Sequence, residues 1–428
     1  MSSKDKKGRI KAVKSMFDLL PPESGRVQSL LNSAVDIFRR YGYGQIATPI
    51  VEYTPLFARS IGDATDIVEK EMYTFDDRDG RSLTLRPEGT AGAVRSYVEH
   101  AVSKREPITR WFYAGPMFRH ERAQRGRYRQ FRQIGAEIFG VPGPAADAEL
   151  LMMLWDFFSE LGLEGLKLHL NSIGCGVCRP VHRKALVDYL TPQKEKLCED
   201  CERRYTDNPL RVLDCKKEGC RALSEEAPKT LDSLCGDCSE HWTGLVKDLD
   251  HYALPHCVDH RLVRGLDYYN RTTFELICTG GLLGSQNTIA GGGRYDGLVE
   301  QLGGPSTPAV GFAMGVDRVL LALPPEKPEL PSVCDVFIVA RGEEARLAGL
   351  TIAQSLRKHG LAVQSDPRGT SVKSQMKRAD RLDARIAIIL GDREIEENIA
   401  TLRRLTDSEQ QDVPRDSLEE RVLAALKG

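Results

Sequence analysis

Apolar residues recur at helical spacing between Val27 and Tyr41, where Leu30, Leu31, Ala34, Val35 and Phe38 share one face and Tyr-Gly-Tyr-Gly44 closes the run. That pattern predicts an amphipathic helix. Farther along, short apolar runs broken by glycines, such as Arg110-Trp-Phe-Tyr-Ala-Gly115 and Thr273-Phe-Glu-Leu-Ile-Cys-Thr279, read as strands of an antiparallel or mixed sheet. The proline-rich stretch Leu323-Pro-Pro-Glu-Lys-Pro-Glu-Leu-Pro331 predicts a stiff, extended linker. Beyond it, 334–340 has the pattern of a buried strand, followed by a helix at 343–359, a strand at 361–365, a helix at 371–382 and the strand 386–390. This β-α-β-α-β order predicts a small α/β domain with a mostly parallel sheet. The chain therefore divides into a block at 1–325, interrupted by a cysteine-rich insertion at 170–260, a linker at 326–333 and an α/β domain at 334–428.

Composition narrows the class. The 428 residues are 41% hydrophobic and 28% charged, ordinary globular usage. No stretch approaches the ~18 to 20 apolar residues of a membrane helix. The start, Met-Ser-Ser-Lys-Asp-Lys-Lys7, lacks the apolar run of a signal peptide, so a cytoplasmic protein with no membrane partner is expected. In that reducing compartment the 11 cysteines are expected as thiols or metal ligands. A net charge of −1 argues against a generic polyanion binder. Local charge differs: arginines at 119, 122, 125, 127, 129 and 132 face a single acid, Glu121. Such a cluster suits a nucleotide phosphate or nucleic acid, or else a solvated basic face.

Several segments carry candidate chemistry. A strand, an arginine-rich loop and a second strand through Gln133 and Glu137 would aim Arg119 and Glu121 into one cleft. Arginine suits that task because its fork grips phosphate bidentately and keeps its charge. Gln133 and Glu137, four apart on a strand, point to one face and need partners if buried. An internal salt-bridge network is the alternative reading. The run Gly291-Gly-Gly293 lacks the Gly-Lys-Ser/Thr ending of a phosphate loop, so by itself it reads as a tight turn. Eight cysteines pair off as Cys175/Cys178, Cys198/Cys201, Cys215/Cys220 and Cys235/Cys238, and three of these pairs have the Cys-x-x-Cys bite of a tetrahedral metal site. Structural zinc, one or two ions, is the expectation; free buried thiols and an iron–sulfur or redox role are the alternatives. Spacing does not say which pairs combine.

Taken together, the segments resemble a known family. The hairpin at 111–140 resembles motif 2 of the class II aminoacyl-tRNA synthetases, and Gly311-Phe-Ala-Met-Gly-Val-Asp-Arg318-Val-Leu320 resembles motif 3. The helix at 27–41 and the strand leading to Pro49 are similar to motif 1, which in that class forms the dimer contact. Leu85-Arg-Pro-Glu88-Gly-Thr90-Ala-Gly92, Leu262-Val-Arg264-Gly-Leu-Asp267-Tyr-Tyr269 and Ala290-Gly-Gly-Gly-Arg294-Tyr295-Asp-Gly-Leu298 point within the class to the histidyl-tRNA synthetases, over most of residues 10–405. The resemblance implies an α+β fold: a class II core on an antiparallel sheet, with the insertion and a C-terminal α/β anticodon-binding domain. It also implies a homodimer that joins L-histidine to tRNA(His) with ATP and Mg2+.

By the same resemblance Arg119, Glu121, Arg127 and Arg318 hold ATP, and Arg264 sits between the histidine carboxylate and the α-phosphate. Arg119, Arg264 and Arg318 are thereby the catalytic candidates. Glu88, Gly89, Thr90 and Gln133 would meet the amino group, while Glu137, Tyr268, Tyr269 and Tyr295 would line the imidazole side. Singly, Tyr268 and Tyr269 read equally as core tyrosines. Arg368, Lys373, Lys377, Arg378 and Arg381 would give the last domain a basic edge, or a solvated helix face. The chain departs from the family's pattern at Lys14-Ser15, where Arg-Gly is usual, and at Ala123, where proline is usual. Two rival readings are a synthetase-like regulatory subunit without catalysis and a class II synthetase for another amino acid.

Overall fold

The computed structural model describes residues 10–62, 65, 67–122, 126–206, 208–281, 283, 287–324 and 332–427. Two units emerge, Met1–Glu329 and Leu330–Gly428. Most of the predicted proline-rich linker, 325–331, lies outside the described residues, as do Ala123 and Arg125.

The first unit is built on an eight-stranded sheet. Its order is Gly44–Gln45, Thr109–Phe118, Gln130–Phe139, Ala309–Gly315, Thr288–Arg294, Asn270–Cys278, Leu166–Ser172 and His256–Val258. Every internal pairing is antiparallel, and the two edge strands pair in parallel with their neighbours. The predicted first helix spans Glu23–Arg40 and turns Leu30, Ala34, Ile37 and Phe38 inward. Phe38, with no exposed surface, meets the rings of Phe112, Phe157 and Phe312, so helix, sheet and the helix Ala145–Glu160 close one core. The cysteine-rich insertion leaves this sheet after Leu166–Ser172 and returns at His256–Val258. It is helical, with a small core of its own around Leu190, Leu197, Val212 and Leu223, in which Cys201 and Cys220 are buried members.

In the second unit the strands run Val363–Ser365, Val336–Ala340, Ile386–Leu390, Ile399–Arg404, Gln410–Pro414. The first three are parallel; the last two are antiparallel, so the expected mostly parallel sheet holds for only half of it. The reason is chain length. Only the short helix Asp392–Glu396 and a left-handed Asn398 separate Leu390 from Ile399, whereas a parallel crossover needs about a dozen residues or more. The expected basic edge is partly neutralised, because Asp366 takes Arg368 in a two-pronged pair and lies 3.9 Å from Arg378.

Arg294 is the largest fully buried side chain of the first unit, and it ties that unit together. Its guanidinium meets Asp147 through Nε and Nη2, Asp296 at 3.1 Å, and the carbonyls of Val141 and Gly143 at 2.9 Å. His241, from the insertion's last helix, reaches the same Asp147 at 3.4 Å. Burial opposes ionisation of Asp147, yet Arg294 and His241 hold its carboxyl below the usual carboxylate range. Arg294→Met removes the cation and strands a buried anion, so it should cost about 3–5 kcal/mol. Denaturant unfolding checks this, and adding Asp147→Asn should recover part of the loss; an unchanged midpoint for Arg294→Met would remove the network from the account.

Candidate active site

At the centre of the large sheet, Gly291–Gly293 occupies the middle of the strand Thr288–Arg294 and not a turn. The correction has a steric basis. On one face a Cβ at Gly291 would stand 2.7 Å from the Arg264 guanidinium, and one at Gly293 would stand 3.0 Å from the Tyr269 ring. On the other face a Cβ at Gly292 would meet the Gly311 carbonyl at 2.1 Å. Gly291 and Gly293 thus leave space on one face for Arg264 and Tyr269, while Gly292 and Gly293 also clear the carbonyls of Gly311 and Thr272 on the neighbouring strands. Arg264 donates to Glu275 at 2.5 Å and stands 5.9 Å from the Tyr269 ring centroid. Burial works against its charge, but Tyr269 and Glu275 outweigh it and keep the guanidinium firmly protonated.

Arg264 forms one wall of a cavity of 540 Å³. The antiparallel hairpin Thr109–Phe118 and Gln130–Phe139, as its strand–loop–strand pattern predicts, brings Arg119, Glu121, Arg127, Phe131 and Gln133 to the lining. Arg119 anchors its Nε on the Pro87 carbonyl at 2.8 Å and lies over the Phe131 ring. Glu121 lies 3.3 Å from Arg127 and 3.8 Å from Arg119, so the salt-bridge reading and the cleft reading describe the same residues. Arg318, at the start of the helix Val316–Ala322, bonds the carbonyls of Gly126 and Thr288. Burial, then the neighbouring charge of Arg127, pushes the Arg318 guanidinium down. Three arginines around one carboxylate, with one of them strained by the others, make a site that gains from an anion.

At the far end, Glu88 caps the helix Thr90–Glu99 by accepting the amides of Thr90 at 2.6 Å and Ala91 at 2.9 Å. Burial raises its pKa against those two bonds. Glu137 is fully buried and takes three hydroxyls: Thr90 at 2.8 Å, Tyr113 at 3.0 Å and Tyr295. Desolvation nonetheless pushes its pKa up to about 8. The strand beside it must be bare as well, since a Cβ at Gly311 would fall 1.6 Å from the Glu137 carboxylate.

The cavity wall brings together Glu88, Thr90, Arg119, Glu121, Arg127, Gln133, Arg264, Tyr268, Tyr269 and Arg318. It does not include Gly89, Glu137 or Tyr295. Gly89 lies behind the wall because Tyr113 packs where its Cβ would stand, at 2.0 Å. Glu137 and Tyr295 sit beneath the wall, with the Thr90 hydroxyl between Glu137 and the cleft. Tyr268 and Tyr269 line the cavity and belong to a buried cluster, so both readings of them hold. Gln133 contributes a buried carbonyl oxygen with no partner among the described residues. Sequence reasoning missed Glu275, whose signal was an acid inside an otherwise apolar strand, and Asp317, which accepts the Arg132 amide at 3.1 Å. It also missed Asp214 and Lys216, which reach the cavity from the insertion and left no local signal.

The eight cysteines of the insertion resolve into two groups, Cys175/Cys178/Cys235/Cys238 and Cys198/Cys201/Cys215/Cys220, the sulfurs of each lying within 4.8 Å of one another. Cys175 Sγ stands 3.7 Å from Cys178 Sγ and 3.8 Å from Cys235 Sγ, and Cys198 Sγ stands 3.8 Å from Cys215 Sγ. Four sulfurs at ~2.3 Å from one tetrahedral ion stand about 3.8 Å apart. Main-chain amides also point at sulfur, Cys235 to Cys178 and Cys198 to Cys220, both at 3.1 Å.

Comparison with known proteins follows the same outline. Residues 15–319 match the family model described as histidyl-tRNA synthetase, and residues 335–425 match the anticodon binding domain. The chain is 50% identical to a histidine–tRNA ligase of Trichlorobacter lovleyi, over 98% of this chain and 99% of that one. It is 48% identical to a histidine–tRNA ligase of Geobacter sulfurreducens, over 95% and 97%. Among solved structures it is similar to apo histidyl-tRNA synthetase of Staphylococcus aureus, with a TM-score of 0.81, 36% identity and coverage of 97% and 100%.

Glu137 gives a pH test of the site's electrostatics. In the unfolded chain its carboxyl ionises near 4.5, in the folded chain near 8. Between those values the unfolded state has released a proton that the folded state still holds. Its contribution to stability is therefore intact below about pH 4.5 and is lost as pH rises to about 8. Glu137→Gln should flatten the fall of the melting temperature with pH across that window. Parallel pH profiles for the two proteins in calorimetry would contradict the buried, raised carboxyl.

Proposed function

The chain belongs to the histidyl-tRNA synthetase family, and from that premise we propose how its residues activate L-histidine with ATP and pass it to tRNA(His). A histidine carboxylate is already ionised at neutral pH, so no general base is needed to make the nucleophile. What the reaction needs is alignment of that carboxylate with the α-phosphate, and positive charge where the phosphoryl oxygens become more negative. Arg264 stands between the two partners: its Nη1 is held by Glu275 and its plane by Gly291 and Tyr269. Arg119, Arg127 and Arg318 take the ATP phosphates. Magnesium, when bound with ATP, screens phosphate charge, and Glu121 is the carboxylate beside those arginines that suits it.

Glu88 and the Gln133 carbonyl oxygen receive the histidine ammonium, with Thr90 beside them. Tyr268 and Tyr269 flank the imidazole. Glu137 acts on the ring from beneath, through the Thr90 hydroxyl and the tyrosines around it, and is a positioning residue. A pocket that bonds both ring nitrogens rejects apolar analogues by a factor of roughly 10⁴ to 10⁵. The observation that carries the proposal is the placement of Arg264 and Glu88 in one cavity with Arg119, Arg127 and Arg318.

We further propose that the enzyme is a cytoplasmic homodimer, with the second unit holding the anticodon end of tRNA(His). Exposed apolar side chains at Ile50, Val51, Tyr53 and Phe75 support an interface between copies. Eleven free cysteines suit a reducing compartment. One zinc ion in each four-cysteine group would stabilise an insertion whose core is small. A non-catalytic regulatory reading is disfavoured by the intact Arg264-Gly-Leu-Asp-Tyr-Tyr269 segment and by the match at 335–425.

Amino-acid-dependent ATP–pyrophosphate exchange tests the proposal. Exchange should appear with histidine and with none of the other nineteen amino acids above background. Equal exchange with proline or threonine, or none with histidine, would overturn it.

A further inference from the structure

The segment 262–269, which carries Arg264, Tyr268 and Tyr269, has no helix or strand of its own. Its main chain is held from outside. Asn171 donates to the Leu262 carbonyl at 3.0 Å, and the Asp267 amide donates to the Ile61 carbonyl. Two more bonds come from the insertion, and each starts beside a cysteine group. Arg179, the residue after Cys178, donates to the Tyr269 carbonyl. Arg211, four residues before Cys215, donates to the Gly265 carbonyl at 3.1 Å. Leu210 and Leu213, on the same short helix as Arg211, pack in one cluster with Val263, the neighbour of Arg264.

We infer that the two cysteine groups are metal-locked clamps on the catalytic segment, positioning Arg264 through Arg211 and Tyr269 through Arg179. The inference rests on the zinc reading above and adds a consequence for catalysis. Its physical basis is the size of the elements that present the arginines. Leu210–Leu213 is a single helical turn, and Glu199–Arg204 is barely more, lengths at which a helix in water does not persist unaided. Four thiolates on one ion tie the loop before Glu199, the helix Glu199–Arg204, Cys215 and the helix Glu218–Glu225 to one point. That bond set fixes where Arg211 starts. In the other group Cys178 and Arg179 open the helix Cys178–Leu190, and Cys235/Cys238 begin the helix Gly236–His251, whose His241 bonds Asp147 in the main core. Asp214 and Lys216, on either side of Cys215, line the catalytic cavity, which places the second group against the site itself. Arg211 and Arg179 touch main chain and no reacting atom, so they are positioning residues.

The test uses the full chain in four forms: native, Cys215→Ser, Arg211→Met and Arg179→Met. Elemental analysis should find two zinc ions in the native protein, one in Cys215→Ser and two in each arginine variant. Hydrogen–deuterium exchange of the 262–269 amides should rise about tenfold or more in all three variants. Histidine-dependent exchange should lose kcat while KM for ATP stays within about twofold, because a displaced Arg264 weakens the transition state more than ground-state binding. Should Cys215→Ser fail to fold, which circular dichroism reads, the two arginine variants decide. Unchanged 262–269 exchange and unchanged kcat in Arg211→Met and Arg179→Met would overturn the clamp while leaving the zinc count standing. A native protein without zinc would overturn the metal reading, and with it the clamp.

Discussion

The site depends on three consecutive residues without side chains, Gly291–Gly293, inside one strand. Gly291 and Gly293 leave room on one face of the central sheet for Arg264 and Tyr269, and Gly292 leaves room on the other for the neighbouring strand. A strand interior is an unfavourable place for glycine, because the unfolded chain loses more freedom there and no side chain packs. That cost is repaid in position. Arg264 lies against backbone, pinned between Glu275 and Tyr269, and a guanidinium held that way loses little further freedom when substrates arrive. Gly311 repeats the device one strand over, where its missing Cβ makes space for the Glu137 carboxylate.

Electrostatics around this floor are arranged in opposition. One end crowds Arg119, Arg127 and Arg318 around Glu121, so that burial and mutual repulsion leave Arg318 ready for an anion. The other end buries Glu88 and Glu137 among amide and hydroxyl donors, with both carboxyls pushed upward by desolvation. In the reading proposed above, the ATP phosphates would relieve the first strain and the histidine ammonium would relieve Glu88 at the other end. The buried Arg294–Asp147–His241 network lies outside the cleft and joins sheet, helix and insertion beneath it.

Much of this was legible in the sequence, and the parts that were not have physical reasons. The helix at Glu23–Arg40 announced itself by periodicity, since it buries one face, and the hairpin strands by short apolar runs, since Ile134–Phe139 is buried on both faces. The glycine run misled because glycine's ordinary meaning is a turn, and the need for bare positions arises only once Arg264 and the neighbouring strands pack against them. Glu137 was rightly grouped with Gln133 by alternation, but how deep it sits follows from Gly311 on another strand. Asp214 and Lys216 gave no sign, because only folding of the insertion brings them to the cavity. The pairing of cysteines was equally invisible, being set by which helices pack. Ser15, where glycine is usual in the family, sits at φ +67°, a left-handed conformation that explains the usual glycine, and its carbonyl receives the Arg129 amide.

The most direct measurement is the kinetics of Gly291→Ala. Its backbone is that of an ordinary strand, and the atoms nearest the added methyl are the far end of the Arg264 side chain. The strand should therefore stand and the guanidinium should move. The account predicts an unchanged melting temperature, histidine binding within a few-fold of the native protein, and a kcat for adenylate formation lower by roughly 10²-fold. Full kcat in a protein that folds normally would contradict the claim that the glycine run positions Arg264 for the proposed reaction.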